Sequence, residues 1–96
     1  MSKIYISGKI TGDDNFKRKF EKAAMNCHLS GWERNEILNP CELPVQESWQ
    51  DYMIMDIKEL FECSHIFMLQ DWKQSKGARI EHAIALETGL TIIYQQ

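Results

Sequence analysis

The chain has little that would place it in a membrane or on nucleic acid. Its unbroken apolar runs, such as 66–69, are short, whereas a bilayer span needs about twenty apolar residues. Nothing near the start reads as the apolar core of a secretory signal. There is no excess of positive charge: eleven Lys and Arg stand against fourteen Asp and Glu, a formal net charge of -3. No nucleic-acid polymer and no membrane is expected as a partner, because both are held by clustered cations. A pocket for one small anion needs only a few donors and stays open. Cysteines number three, an odd count with no CxxC pair, which argues against a disulfide framework and a zinc ribbon. Cys63 and His65 flank a strand without a second pair, so no metal is expected, and the thiols read as reduced ones in a cytoplasmic protein. Neither GxGxxG nor a P-loop occurs, and no cofactor is expected.

What is present is the composition of a folded domain: 96 residues, 44% hydrophobic and 26% charged. That length predicts one domain over 1–96, with one thin core.

Residues 3–7, KIYIS, form a β-branched and aromatic run closed by Gly8, a buried-strand pattern. After a Gly-, Asp- and Asn-rich loop, Phe16, Phe20, Ala24 and Cys27 recur at helical spacing. Asp13 or Asp14 is the expected cap of this helix and Gly31 its stop. A second strand is expected at 36–39, followed by a loop that Pro40 and Pro44 keep out of helix. Ser48 caps a helix to about residue 62 with the stripe Trp49, Met53, Ile57 and Leu60. A third strand at 65–69, a polar loop, a helix opened by Gly77 and stopped by Gly89, and a fourth strand at 91–94 complete the series. Strictly alternating strands and helices predict an α/β fold: a small flavodoxin-like three-layer sandwich, its four-stranded parallel sheet in the order 2-1-3-4 with three helices. In such sheets ligands lie beyond the strand C-termini where the strand order reverses. That selects the segments 7–12, 39–44 and 70–77.

Two carboxylates fall in notable places. Asp56 lies on or beside the apolar stripe of the second helix, where it must be hydrogen-bonded or raised in pKa; a slightly rotated helix would instead turn it to solvent. Glu81 falls in the second turn of the third helix. There the helix dipole favours the ionised form, which suits a nucleophile, although acidic residues also occur near helix starts for stability alone. Ser75 and Gly77 open that helix as an anion cradle or as a plain cap. Arg79 is either a ligand for an anion or a solvated charge.

Read together, K-I-Y-I-S-G-K-I-T-G, N-P-C-E-L, D-Y-M-I-M-D-I-K-E-L-F-E-C-S and D-W-K-Q-S-K-G-A-R-I-E-H-A-I-A-L-E-T-G-L-T-I-I-Y resemble a family of small, often phage-borne proteins, the DUF4406 family. That family looks like a compact branch of the nucleoside 2-deoxyribosyltransferase superfamily, which also holds the deoxynucleoside 5'-monophosphate N-glycosidases. The resemblance implies cleavage of an N-glycosidic bond by a glutamate that attacks the anomeric carbon, with Glu81 at the nucleophile's place. It puts Asp56 where an aspartate handles the base or its proton, and Tyr5 where a strand tyrosine positions the nucleophile. Ser7 and Gly8 match the first sugar- or phosphate-facing turn, and Ser75 and Gly77 match residues holding a 5'-phosphate. Trp72 or Tyr5 is the expected stacking partner of the base, unless each is core.

Lys9 stands where the pattern has proline and Asp71 where it has glycine. An acidic Asp71 beside the Ser75 cradle is expected to repel a phosphate. The enzymes of the superfamily also continue past the fourth strand, whereas only Gln95 and Gln96 follow it here, so the pocket is expected to be open or completed by a partner subunit. The expected partner is a small-molecule nucleoside or nucleotide. Three functions remain: a glycosidase or transferase, a non-catalytic sensor or sequestering protein for a nucleotide or ADP-ribose-like ligand, and an accessory protein that keeps only the fold. A homodimer is expected in each, with Trp49, Tyr52, Met53 and Met55 at its interface.

Overall fold

The computed structural model describes residues 2–96. Among them the strands β1 (Ile4–Ser7), β2 (Ile37–Leu38), β3 (His65–Met68) and β4 (Thr91–Tyr94) form one parallel sheet in the order β2-β1-β3-β4. This is the expected α/β sandwich and strand order. Between the strands run α1 (Phe16–Leu29), α2 (Trp49–Leu60) and α3 (Lys76–Thr88). None is long and apolar enough to cross a membrane.

The sheet divides the core in two because side chains alternate across a strand. Tyr5, Ile66 and Met68 pack on one face with Leu60 of α2 and with Ala78 and Ala85 of α3. Ile6 packs on the other with Phe20 and Ala23 of α1 and with Leu69. Every residue of the central strand β1 is buried. The edge strand β4 is mostly exposed, with Ile93 and Tyr94 open to solvent; its apolar sequence reflects one covered face rather than two.

Local chemistry accounts for the element ends, with two departures from the sequence reading. Neither Asp13 nor Asp14 caps α1: the cap position is Asn15, without a side-chain bond, and Asp13 Oδ1 instead accepts the Asn15 N–H at 2.9 Å, closing the preceding turn. Helix α3 begins one residue before Gly77, with Ser75 as its N-cap: Ser75 Oγ accepts the Ala78 N–H at 3.1 Å. Ser48 caps α2 through the Asp51 N–H as expected. Gly89 ends α3 in the left-handed conformation, φ 78°, which glycine adopts without steric cost.

Candidate active site

A cleft of about 430 Å³ opens beyond the C-terminal ends of the strands, lined by the segments that follow β1 and β2 and by the start of α3 after β3; the strand-order rule puts ligands at the reversal between β1 and β3. Its floor is the end of β1, Tyr5 to Gly8; its walls are Phe16, Lys17 and Phe20 of α1, the Pro40–Leu43 turn, Trp49, Tyr52, Met53 and Asp56 of α2, and Ser75, Gly77, Ala78 and Glu81 of α3 or its cap.

Glu81 is 5% exposed. Its two oxygens are held separately: Tyr5 donates its phenolic hydrogen to Oε2 at 2.7 Å, and Ser7 donates its hydroxyl hydrogen to Oε1 at 2.6 Å. The alternation of β1 explains the pair, because residues 5 and 7 share one face of the strand. Burial pushes the Glu81 carboxyl up to about 7; the bonds from Ser7 and Tyr5 oppose the rise and the nearby Asp56 charge adds to it. The dipole argument for an ionised Glu81 is therefore incomplete, since desolvation is the larger effect. Burial first, then Glu81 and Asp56, hold the Tyr5 phenol well above its ordinary value, so Tyr5 stays a hydrogen-bond donor.

Asp56 is 9% exposed and lines the same cleft, so α2 is not rotated to give it to solvent. Burial pushes its pKa up to about 6. Among the described residues no group donates a hydrogen bond to it, so its carboxyl is left for whatever occupies the cleft. Two buried carboxyls, one gripped by hydroxyls and the other free, can serve as nucleophile and proton carrier on one substrate.

The structure brings Tyr5, Ser7, Gly8, Asp56, Ser75, Gly77 and Glu81 together. It places Trp72, Asp71 and Arg79 outside this lining. Trp72 stacks on His82, ring centroids 4.1 Å apart, and packs against the core. Arg79 donates to the Lys73 carbonyl at 2.7 Å from an exposed position. Asp71 is paired with Lys19 and accepts the Lys9 N–H. Lys19, shared with Asp13, offsets part of the Asp71 charge, which reduces the expected repulsion of a phosphate at Ser75 only in part.

Aromatic walls of the cleft come from residues that the sequence reading gave other roles or passed over. Phe16 was a helix-stripe position, and Trp49 and Tyr52 were expected at a dimer interface; all three line the cleft. Met53, expected at that interface too, is 7% exposed and packs inward, with its Sδ 3.0 Å from where a Cβ on Gly77 would lie. Met53 is thus part of the cleft wall and not of an outer face. The detectable signal was the spacing of 49, 52, 53 and 56, which puts these residues on one helix face with Asp56.

A family model described as "Domain of unknown function (DUF4406)" matches residues 2–94. No curated protein and no solved structure matches the chain.

Proposed function

The chain belongs to the DUF4406 family, and from that premise we propose that it is a nucleoside or nucleotide N-glycosidase, or a deoxyribosyltransferase-like enzyme, with Glu81 as nucleophile. The observation that carries this reading is the pair of buried carboxyls in one cleft, Glu81 held by Tyr5 and Ser7 and Asp56 without a hydrogen-bond donor. The cleft volume of about 430 Å³ falls in the range of roughly 300–1,000 Å³ usual for small-molecule sites. The superfamily's chemistry, double displacement at an anomeric carbon, needs these two groups.

In the first step a Glu81 oxygen bonds to the anomeric carbon as the glycosidic C–N bond breaks. The bonding pair leaves with the base nitrogen, which takes the proton of Asp56. In the second step Asp56, now ionised, removes a proton from water while the water oxygen bonds to the same carbon and Glu81 departs as carboxylate. Sugar and free base result, and both carboxyls return to their starting states. A second base in place of water gives transfer. Tyr5 and Ser7 fix the carboxylate plane and steady its charge in both the ionised nucleophile and the departing group. Phe16, Trp49 and Tyr52 are placed to cover the base, and the first turn of α3 at Ser75 and Gly77 suits a 5'-phosphate.

The test is base release, followed by chromatography, from deoxynucleosides, their 5'-monophosphates and NAD-like N-glycosides. Wild type is expected to release base from at least one, and Glu81→Gln to lose about a thousandfold or more while keeping its circular dichroism. Release from no compound would overturn the enzyme. Ligand-induced thermal stabilisation without turnover would favour the sensor or sequestering protein. A homodimer is part of the proposal, and a monomer by light scattering at micromolar concentration would remove it.

A further inference from the structure

Three segments of chain meet at one lysine beside the cleft. Lys19, in the first turns of α1, directs its Nζ to Oδ2 of Asp13, to Oδ2 of Asp71 and, at 2.9 Å, to the carbonyl of Lys9. An ammonium has three N–H donors, and here each has one acceptor. Asp71 closes the ring by accepting the Lys9 N–H on Oδ1 at 3.1 Å. The group is partly shielded, with the Lys19 and Asp71 side chains 22% and 21% exposed.

Two of the segments so joined lead into the floor of the cleft and into its α3 wall. Lys9 follows directly on Ser7 and Gly8. Asp71 opens the connection that carries Ser75 and Gly77 into α3. The same seam is closed by the Leu69 N–H, which donates to the Ser7 carbonyl at 2.8 Å. It is so tight that a Cβ on Gly8 would lie 2.6 Å from Leu69 Cδ1. Ser7, the donor to Glu81 Oε1, therefore sits two residues from a backbone amide and carbonyl that are both tied down by Asp71 and Lys19.

We propose that the Asp71–Lys19 pair is a positioning device that holds the end of β1 so that the Ser7 hydroxyl stays on Glu81, and that Asp71 does not itself contact substrate. Its importance for turnover rests on the reading of Glu81 as nucleophile; its effect on the carboxylate does not. Asp71 and Lys19 act through the backbone from Lys9 to Ser7. Removing Asp71 takes the acceptor from the Lys9 amide, and removing Lys19 takes the donor from the Lys9 carbonyl; in either case the Ser7 hydroxyl drifts, and the ionised form of Glu81 loses part of its support. The other titratable groups facing Glu81 are Tyr5 from β1 and Asp56 from α2, and neither touches the clamp. Those facing Lys19 are Asp13 and Asp71, with Lys9 adjoining through its backbone.

The experiment is a carboxyl-carbon NMR titration of Glu81 in wild type, Asp71→Ala and Lys19→Met, with folding checked by near-ultraviolet circular dichroism. The expected result is a Glu81 pKa raised by about half a unit to one unit in both variants, a three- to tenfold change in its ionisation constant. Asp71→Asn, which keeps an acceptor for the Lys9 N–H, should shift it less and in the same direction, and it carries the comparison if the harsher variants do not fold. On the acid side of the pH profile, kcat/KM should fall by the same factor. A Glu81 that titrates as in wild type in folded variants overturns the proposal. An inactive wild type sinks the glycosidase and leaves the titration readable.

Discussion

Ser7 and Glu81 are 74 positions apart in the chain and 2.6 Å apart in the fold. Tyr5 and Glu81, 76 positions apart, form the matching contact at 2.7 Å. Both hydroxyls donate, so both bonds favour the ionised carboxylate. A hydrogen bond to a buried charge is worth about 1.5–3 kcal/mol, more than one between neutral groups. Tyr5→Phe is therefore expected to destabilise the protein by about 2 kcal/mol at pH 8, where Glu81 is ionised, and by less at pH 5. Ser7→Ala should behave alike. Urea unfolding at the two pH values reads the difference, and an equal loss at both would contradict donation to a charged group.

If the proposed glycosidase reading holds, the two carboxyls also set the pH profile of base release. The proposed reaction needs Glu81 ionised and Asp56 protonated, with pKa values pushed to about 7 and about 6. The ordering is the reverse of the productive one, so the active form is the minor of the two singly ionised species. The observed limbs belong to the coupled pair. A bell-shaped kcat/KM is expected, centred at about pH 6.5, the midpoint of the two values. Asp56→Asn should lose most activity and with it the alkaline limb. A profile flat from pH 5 to pH 8 would contradict these roles.

How far the sequence carried is seen best in Asp56 and Lys19. The order of strands and helices follows from local patterns, the alternation of short β-branched runs with helical stripes, and so does the placing of the cleft by the strand-order rule. The rotation of α2 does not follow: the spacing of 49, 53 and 56 allows Asp56 to face either core or solvent, and the assembled cleft, in which Asp56 is buried, settles it. The raised pKa of Glu81 is not legible in the sequence, because a helix dipole is visible there whereas desolvation is a property of the assembled core. Trp72 suggested a stacking platform, yet His82 ten residues on takes that face. The Lys19–Asp71 pair bridges 52 positions, and no local pattern connects its members.

Stability should depend on pH through the same groups. Asp56 rises from an ordinary 3.8 to about 6 and Glu81 from 4.5 to about 7. Each folded-state pKa lies above its unfolded value, so the folded protein binds more protons in between, and stability falls as pH rises through that window. From Glu81 alone the loss between pH 4.5 and pH 7 is of the order of 3 kcal/mol, at about 1.4 kcal/mol per pKa unit. Asp13 acts in the opposite sense. The hydrogen bond from Lys19 holds its pKa below the ordinary value, so its contribution is lost on acidification below about pH 4. Maximal stability is expected near pH 4–5, with Glu81→Gln flattening the decline toward neutrality. Denaturant unfolding of both proteins at pH 5 and pH 8 would contradict this if wild type were equally stable at the two.

Gly8 gives the sharpest steric prediction, because its backbone is not in the left-handed region and only space forbids a side chain. A Cβ there would lie 2.6 Å from Leu69 Cδ1, 2.8 Å from its Cβ and 2.9 Å from its Cγ. Leu69 is fully buried against Ile6 and Phe20, so it has no room to yield. The strand ends must part, and overpacking of this kind costs about 1–3 kcal/mol. Parting them also draws the Ser7 hydroxyl from Glu81, so Gly8→Ala is expected to lower both melting temperature and base release. Adding Leu69→Ala removes the colliding atoms beyond Cβ at the expense of a cavity. The double variant should therefore be less destabilised than the sum of the two single ones, by roughly 1 kcal/mol of coupling. Strict additivity in a thermodynamic cycle would show that Gly8 and Leu69 are not in steric contact.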